Sequence, residues 1–273
     1  MNYWLWLTGL SATFAVLERV RPRDPQQRAL RPGLLTDLFY AVWNGHFLGV
    51  ALALVTEPIA RGLDAALAAR GMSLHVRLAA DWPVWVQFPV ALVATDLMQW
   101  AIHNLLHRVP TLWELHKVHH SIRTMDFWGS LRFHVGEVVV YKSLLYVPLA
   151  LLGFDPAVSF ALAIVSTAIG HFNHANLRVR MGPLRYVLNG PEMHVWHHAH
   201  PDAGPTNVNF AINLAVWDWL FGTAWLPPVA ATPDTLGFSG VEDFARDPLG
   251  QTLSPLARAC ERTSPLPRRA KMR

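Results

Sequence analysis

Apolar residues in this chain fall into long runs broken by short polar stretches, the pattern of membrane helices and not of alternating strands. The first run, about Tyr3 to Leu17, has the length of a signal peptide but no basic region before it and no A-x-A site, so it reads as a retained helix. A second run from about Leu38 to Thr56 is long enough to span a bilayer and is expected to end at Glu57-Pro58. A third follows Trp82-Pro83, from about Val84 to Ile102, with Trp82, Trp85 and Trp100 near its ends, where an interfacial aromatic belt sits. Val138 to Leu152 and Ala157 to Ile169 are split by the turn signal Gly153-Phe154-Asp155-Pro156, which predicts an antiparallel helical hairpin. Arms of about 13 to 15 residues measure roughly 20 to 23 Å, which leaves open whether the hairpin is re-entrant or spanning.

A hairpin returns the chain to the side it left, so the polar stretches 103–137 and 171–273 are expected on one membrane face. Arg19, Arg21, Arg23, Arg28 and Arg31 follow the first helix, and segment 103–137 is also basic, so the positive-inside rule makes that face cytoplasmic. The expected fold is an all-α polytopic membrane bundle over residues 1–225, with an irregular, proline-bearing tail over 226–273.

Composition agrees: 52% of the residues are hydrophobic, 15% are charged, and mean hydropathy is +0.22. An ordinary soluble domain carries about 25% charged residues. The net charge of +4 belongs to the tail, where Arg258, Arg262, Arg268, Arg269, Lys271 and Arg273 face one acid, Glu261. Nothing beside these residues resembles a nucleic-acid reader; they read as a solvated terminus or as a site of attraction to anionic head groups. Cys260 is the only cysteine, which excludes an intrachain disulfide and any multi-cysteine metal site.

Twelve of the 14 histidines lie between His103 and His200. His103-x-x-x-His107 stacks two rings on one helix face. His116-x-x-His119-His120 and His194-x-x-His197-His198 repeat one pattern, and the three rings of each are expected to converge. His171-x-x-His174 ends the hairpin. Neutral imidazoles bind first-row metals, and this many exceed the roughly four ligands that one zinc ion needs, so two metals are expected. No H-E-x-x-H zinc-protease motif is present. Haem would want isolated histidines within spans.

D-L-M-Q-W-A-I-H-N-L-L-H from Asp96, L-W-E-L-H-K-V-H-H-S from Leu112, R-F-H-V-G-E from Arg132, F-N-H-A-N from Phe172 and P-E-M-H-V-W-H-H from Pro191 together resemble the fatty acid hydroxylase / sterol desaturase superfamily. The resemblance covers roughly residues 90 to 200. It implies a non-haem di-iron centre, two Fe per chain, that uses O2 to hydroxylate or desaturate a lipid C–H bond. The implied ligands are His103, His107, His116, His119, His120, His194, His197 and His198, with His174 as a ninth. Val135 stands where the family often has proline, so His134 is a second-tier candidate.

Outside these motifs, His171 reads as a pairing or structural residue, His200 as a solvated loop residue, and His46 and His75 as lying outside the cluster. Asp96, two helical turns before His103, is expected either to accept the second ring N–H of a ligand histidine or to bond a neighbouring helix. Asn176 reads as a similar support or as a helix cap. Arg132 and Glu137 are expected to pair. No catalytic residue is expected beyond the metal centre itself. With no flavin, dinucleotide or haem fingerprint, electrons are expected from a separate ferredoxin or cytochrome-like donor. The competing readings are a membrane metal binder or transporter without oxygenase activity and a membrane zinc hydrolase.

Overall fold

The computed structural model describes residues 2–229 and 231–263. Within them, apart from two isolated bridges, Pro22 with Leu177 and Ala199 with Leu236, the chain forms helices and loops. Helix α1 (Tyr3–Val20) runs three residues past the expected apolar stretch. Helix α2 (Leu34–Val42) passes through a π-helical turn (Trp43–Phe47) into α3 (Leu48–Ala68). Glu57-Pro58 therefore does not end the second run. Proline's fixed φ is helical, so Pro58 costs one backbone bond without forcing a stop.

Helix α4 (Val84–Arg108) starts at the Pro83 cap and carries His103 and His107 at its last turns. After Val109 the chain enters α5 (Pro110–His120), which ends on the first H-x-x-H-H motif. The hairpin forms as expected, with longer arms: α6 (Val135–Leu151) and α7 (Pro156–His174) have 17 and 19 residues. Those lengths correspond to about 26 and 28 Å of helix. Its turn needs glycine: Gly153 has φ +80, and a Cβ there would stand 2.9 Å from the Cα of Arg77. Short helices α8 (Pro191–His197) and α9 (Val216–Leu220) follow. The tail is not irregular throughout, because α10 occupies Pro248–Thr263. Phe238, Val241 and Phe244, just before α10, pack with Tyr40 and Val118. Arg268, Arg269, Lys271 and Arg273 lie outside the described residues.

The bundle has two unlike ends. At one, Val76 and Ala79 donate backbone N–H groups to Leu151 and Leu152 at the hairpin tip, and Gln87 accepts from the Asp155 backbone N–H at 2.7 Å. At the other end the histidines gather. The outer surface is apolar: Leu5, Leu54, Ile59, Trp85, Val93 and Leu144 are exposed, while Asp96, Glu137, Asn213 and Asp218 are fully buried. Such an inside-out distribution suits a hydrocarbon surround. Two stretches, Leu34–Ala68 and Pro156–His174, are long and apolar enough to cross a membrane. Helix α4, expected as a span, is not one of them, because Gln87, Thr95, Asp96 and Gln99 turn a polar face into the bundle.

Beneath the histidine end lies a buried ionic network. Arg31 clamps both oxygens of Asp126, at 2.6 and 2.5 Å, and reaches Asp37 at 2.6 Å; Arg132 Nε donates to the other Asp37 oxygen at 2.5 Å. Arg31, counted from sequence among the loop arginines that orient the chain, is thus internally neutralised. The expected Arg132–Glu137 pair does not form, because Asp37 on α2 takes the guanidinium. Removing one partner of a buried pair strands the rest: Asp37→Ala should destabilise the fold by about 3–5 kcal/mol. A thermal melt of the detergent-purified protein should show a large drop in Tm, and an unchanged melt would contradict the network's structural role.

Candidate metal centre

Nine histidines meet in two groups. His103, His107, His116, His120 and His197 form one, and His119, His174, His194 and His198 the other; within each group the candidate ligand nitrogens lie within 4.8 Å of one another. The three rings of each H-x-x-H-H motif do not converge as expected. Residues i and i+4 share a helix face, whereas the adjacent residue points about 100° away. On α5, His116 and His120 therefore enter the first group and His119 the second. On α8 and its cap the split is reversed, with His194 and His198 in the second group and His197 in the first. Each motif serves both groups.

The rings are oriented from behind. His103 Nδ1 donates to Phe210 O at 2.6 Å, His197 Nδ1 to Val208 O at 2.8 Å, His119 Nδ1 to Arg132 O at 3.2 Å and His174 Nδ1 to Gly170 O at 2.8 Å. His116 Nδ1 donates to Glu137 Oε1 at 2.8 Å. Carbonyl oxygens only accept, so they fix these protons on Nδ1 and leave lone pairs on the inward Nε2 atoms.

Those inward atoms face each other closely. His103 and His116 Nε2 are 3.0 Å apart, His120 and His197 3.1 Å, and His174 stands 3.2 Å from both His119 and His194. In the His103–His116 and His119–His174 pairs both rings have their N–H fixed on the outward Nδ1, and two lone pairs at this distance repel unless a cation sits between them. Two nitrogens bound about 2.1 Å from one first-row ion, at angles of about 90–109°, stand about 3.0–3.4 Å apart. The donor set and the spacing thus fit a metal in each group. His107 Nε2 is buried without a hydrogen-bond partner, which leaves it available as a ligand.

Electrostatics keep the rings in the ligating form. Burial, followed by the neighbouring imidazoles, holds His116, His119, His120, His194, His197 and His198 well below the ordinary value of 6.5. They are neutral across the physiological range.

The second-tier residues take other places. His134 accepts from Gly136 N as the N-cap of α6, and its Nε2 donates to Thr252 O at 3.0 Å. His171 lies between Ser11 and Ser130, at 3.1 and 2.7 Å, in the pairing role read from sequence. Asn176 bonds the backbone of Asp24 through both ends of its amide and touches no ligand ring. Asp96 also meets no imidazole; it accepts from Asn213 N and Nδ2, Leu214 N and Trp217 Nε1. His75 stands at the opposite end, 3.3 Å from Asp64.

Sequence reasoning missed three residues that set the site. Glu137 orients His116 and does not pair with Arg132. Asp218 accepts from Phe210 N and Ala211 N at 2.9 and 2.8 Å, and Asn209, at φ +56, ties the same strand-like loop to Met193 and Trp225. Together with Asp96 they fix the loop whose carbonyls hold His103 and His197. The available signal was the polar residues Asn207, Asn209, Asn213 and Asp218 set within an otherwise apolar run.

Residues 88–223 match the family model for fatty acid hydroxylases. The chain is 30% identical over 249 residues to ornithine lipid hydroxylase OlsE of Rhizobium tropici, an alignment covering 90% of this chain and 73% of that protein. It is 33% identical over 144 residues to alkylglycerol monooxygenase of Danio rerio, covering 52% of this chain and 30% of the relative. The human alkylglycerol monooxygenase is 31% identical over 135 residues, 49% of this chain and 29% of the relative. No solved structure matches the chain.

Outer carboxylates that orient a ligand histidine typically contribute 10–100-fold to metal affinity or activity. Glu137→Ala should weaken metal retention by about that factor, measured by competition with a chelator, and Glu137→Gln, which keeps an acceptor oxygen, should lose less. Wild-type retention in Glu137→Ala would remove Glu137 from the site.

Proposed function

We propose that this chain, which belongs to the fatty acid hydroxylase superfamily, is a membrane-bound, O2-dependent hydroxylase of a lipid C–H bond. The observation that carries the reading is the pair of buried imidazole groups, in each of which two lone pairs face one another, those of His103 and His116 at 3.0 Å and those of His119 and His174 at 3.2 Å. His103, His107, His116, His120 and His197 would hold one iron, and His119, His174, His194 and His198 the other. Bound iron would supply reductive activation of O2.

The chain's own residues do the rest. Backbone carbonyls of Phe210, Val208, Arg132 and Gly170, with the Glu137 carboxylate, hold the rings so that no reorganisation is needed when substrate arrives. Phe133 stacks on His119 at 4.6 Å, and Phe210 packs on His103, His107 and His197, so apolar rings line the groups and exclude water. Hydroxylation is favoured over desaturation by the hydroxylase and monooxygenase relatives. Their names point to lipids as the substrate class, and the apolar outer surface supports delivery from the bilayer. A separate ferredoxin or cytochrome-like protein would donate electrons. The arginine-rich loop after α1 favours a cytoplasmic histidine end with the 69–83 loop outside.

Two measurements test this reading. Lipids from cells with and without the protein, grown under 18-O2, should gain a mass-labelled hydroxyl only with the wild type. His119→Ala or His197→Ala should reduce product to background, while His75→Ala should leave it nearly unchanged. Metal binding without any labelled lipid would instead leave a non-catalytic metal binder. In a Cys260→Ser background, cysteines placed at the exposed positions 123 and 235 should label from the cytoplasmic side and one at 75 from the other; opposite-side labelling of 123 and 235 would dismantle the topology.

A further inference from the structure

A cavity of about 460 Å³ lies between α2, the π-helical turn and the start of α6 and α10, with walls formed mainly by Phe39, Trp43, Phe133, Val135, Pro248 and Leu249. Its volume falls in the small-ligand range, roughly 300–1,000 Å³. At the inner end, the Phe133 ring stacks on His119 at 15°, so a single ring separates the cavity from the second histidine group. At the outer end, Phe39 and Trp43 stack at 6.2 Å and are 45% and 40% exposed, and Leu249 is 69% exposed. The mouth therefore opens on the apolar outer surface.

Three polar residues line the cavity: Tyr40, Asp247 and Thr252. Two are already committed to the first turn of α10, since Asp247 Oδ1 accepts from Gly250 N and the Thr252 hydroxyl donates to Pro248 O, both at 2.8 Å. Tyr40 differs. It is 2% exposed, Thr252 is its polar neighbour, and its hydroxyl makes no hydrogen bond of normal geometry. Asp247 and Thr252 keep acceptor lone pairs beside Tyr40, so the cavity has one polar corner in an otherwise apolar wall. An apolar chain bearing one oxygen suits both the walls and this polar corner.

Resting on the lipid-hydroxylase reading, we propose that this cavity is the chain-binding subsite. It receives one lipid chain sideways from the bilayer between Leu249 and the Phe39–Trp43 pair, with an ester, amide or hydroxyl oxygen of that lipid at the polar corner formed by Tyr40, Asp247 and Thr252. The substrate is accordingly an oxygen-bearing lipid and not a plain hydrocarbon.

The test is photolabelling of the full, metal-loaded chain in nanodiscs with two probes, a fatty-acyl amide and an alkane, each carrying a diazirine. Peptide mass spectrometry should place acyl-amide adducts on residues 39–43 and 248–252. Leu249→Trp fills the mouth and should lower these adducts about tenfold with metal content unchanged. Tyr40→Phe, which keeps the shape, should lower acyl-amide labelling about threefold to tenfold and leave alkane labelling as it was. Adducts confined to other surfaces, or equal labelling in Leu249→Trp, would overturn the subsite. So would normal lipid hydroxylation by Leu249→Trp, which would leave the oxygenase reading intact. Labelling that follows the expected pattern in a protein that forms no O2-derived product would support the subsite and remove the oxygenase reading.

Discussion

An imidazole has one N–H and one lone pair, and burying nine of them around a common centre forces a choice of which nitrogen faces inward. Here acceptor oxygens behind the rings of His103, His116, His119, His174 and His197 take the N–H, so lone pairs fill the interior. Where two such rings meet, at 3.0 Å for His103 and His116 and at 3.2 Å for His119 and His174, the lone pairs are tolerable only around positive charge. Much of the surrounding structure follows from holding them there. Asp96 and Asp218 are buried because they fix the loop that carries the carbonyls of Val208 and Phe210. The apolar residues displaced from this polar interior lie on the outside, where a bilayer accepts them.

The support for His119 extends furthest. Its Nδ1 bonds the carbonyl of Arg132, whose guanidinium is held by Asp37 on α2, while Asn44 in the π-helical turn donates to Leu131 O and Phe133 O, both at 2.9 Å. The π turn has a local use: it sets Asn44 against the two residues flanking Arg132. Glu18, near the end of α1, accepts from Phe127 N and Asn176 N and ties the first helix to the same region. The helices before residue 88, outside the span matched by the family model, are thus structurally continuous with the histidine groups.

Much of this was legible in the sequence because helical spacing is local. The hairpin was readable from Gly153-Phe154-Asp155-Pro156, and the histidine clusters from their i, i+3 and i+4 intervals, while His174 was singled out from His171 only by the family resemblance. What was not legible depends on contacts far apart in the chain. Arg132 and Glu137 are five residues apart and of opposite charge, yet Asp37 and His116 claim them, and no local pattern reveals that exchange. The division of each H-x-x-H-H motif between two groups needs the opposed placement of α5 and α8, which spacing alone does not supply. Asp96 was expected to accept from a ligand ring or to bond a neighbouring helix; it holds Asn213, Leu214 and Trp217 and no ring. Pro58 misled because proline ends helices in water more reliably than it ends a long apolar helix.

The central claim is that the two histidine groups are two metal positions. Elemental analysis of the folded, purified chain, combined with X-ray absorption at the metal edge, addresses it directly. The account predicts two first-row ions per chain, each surrounded by imidazole nitrogens, with iron in the active protein. A fully active chain carrying one ion, or ions without nitrogen neighbours, would contradict it.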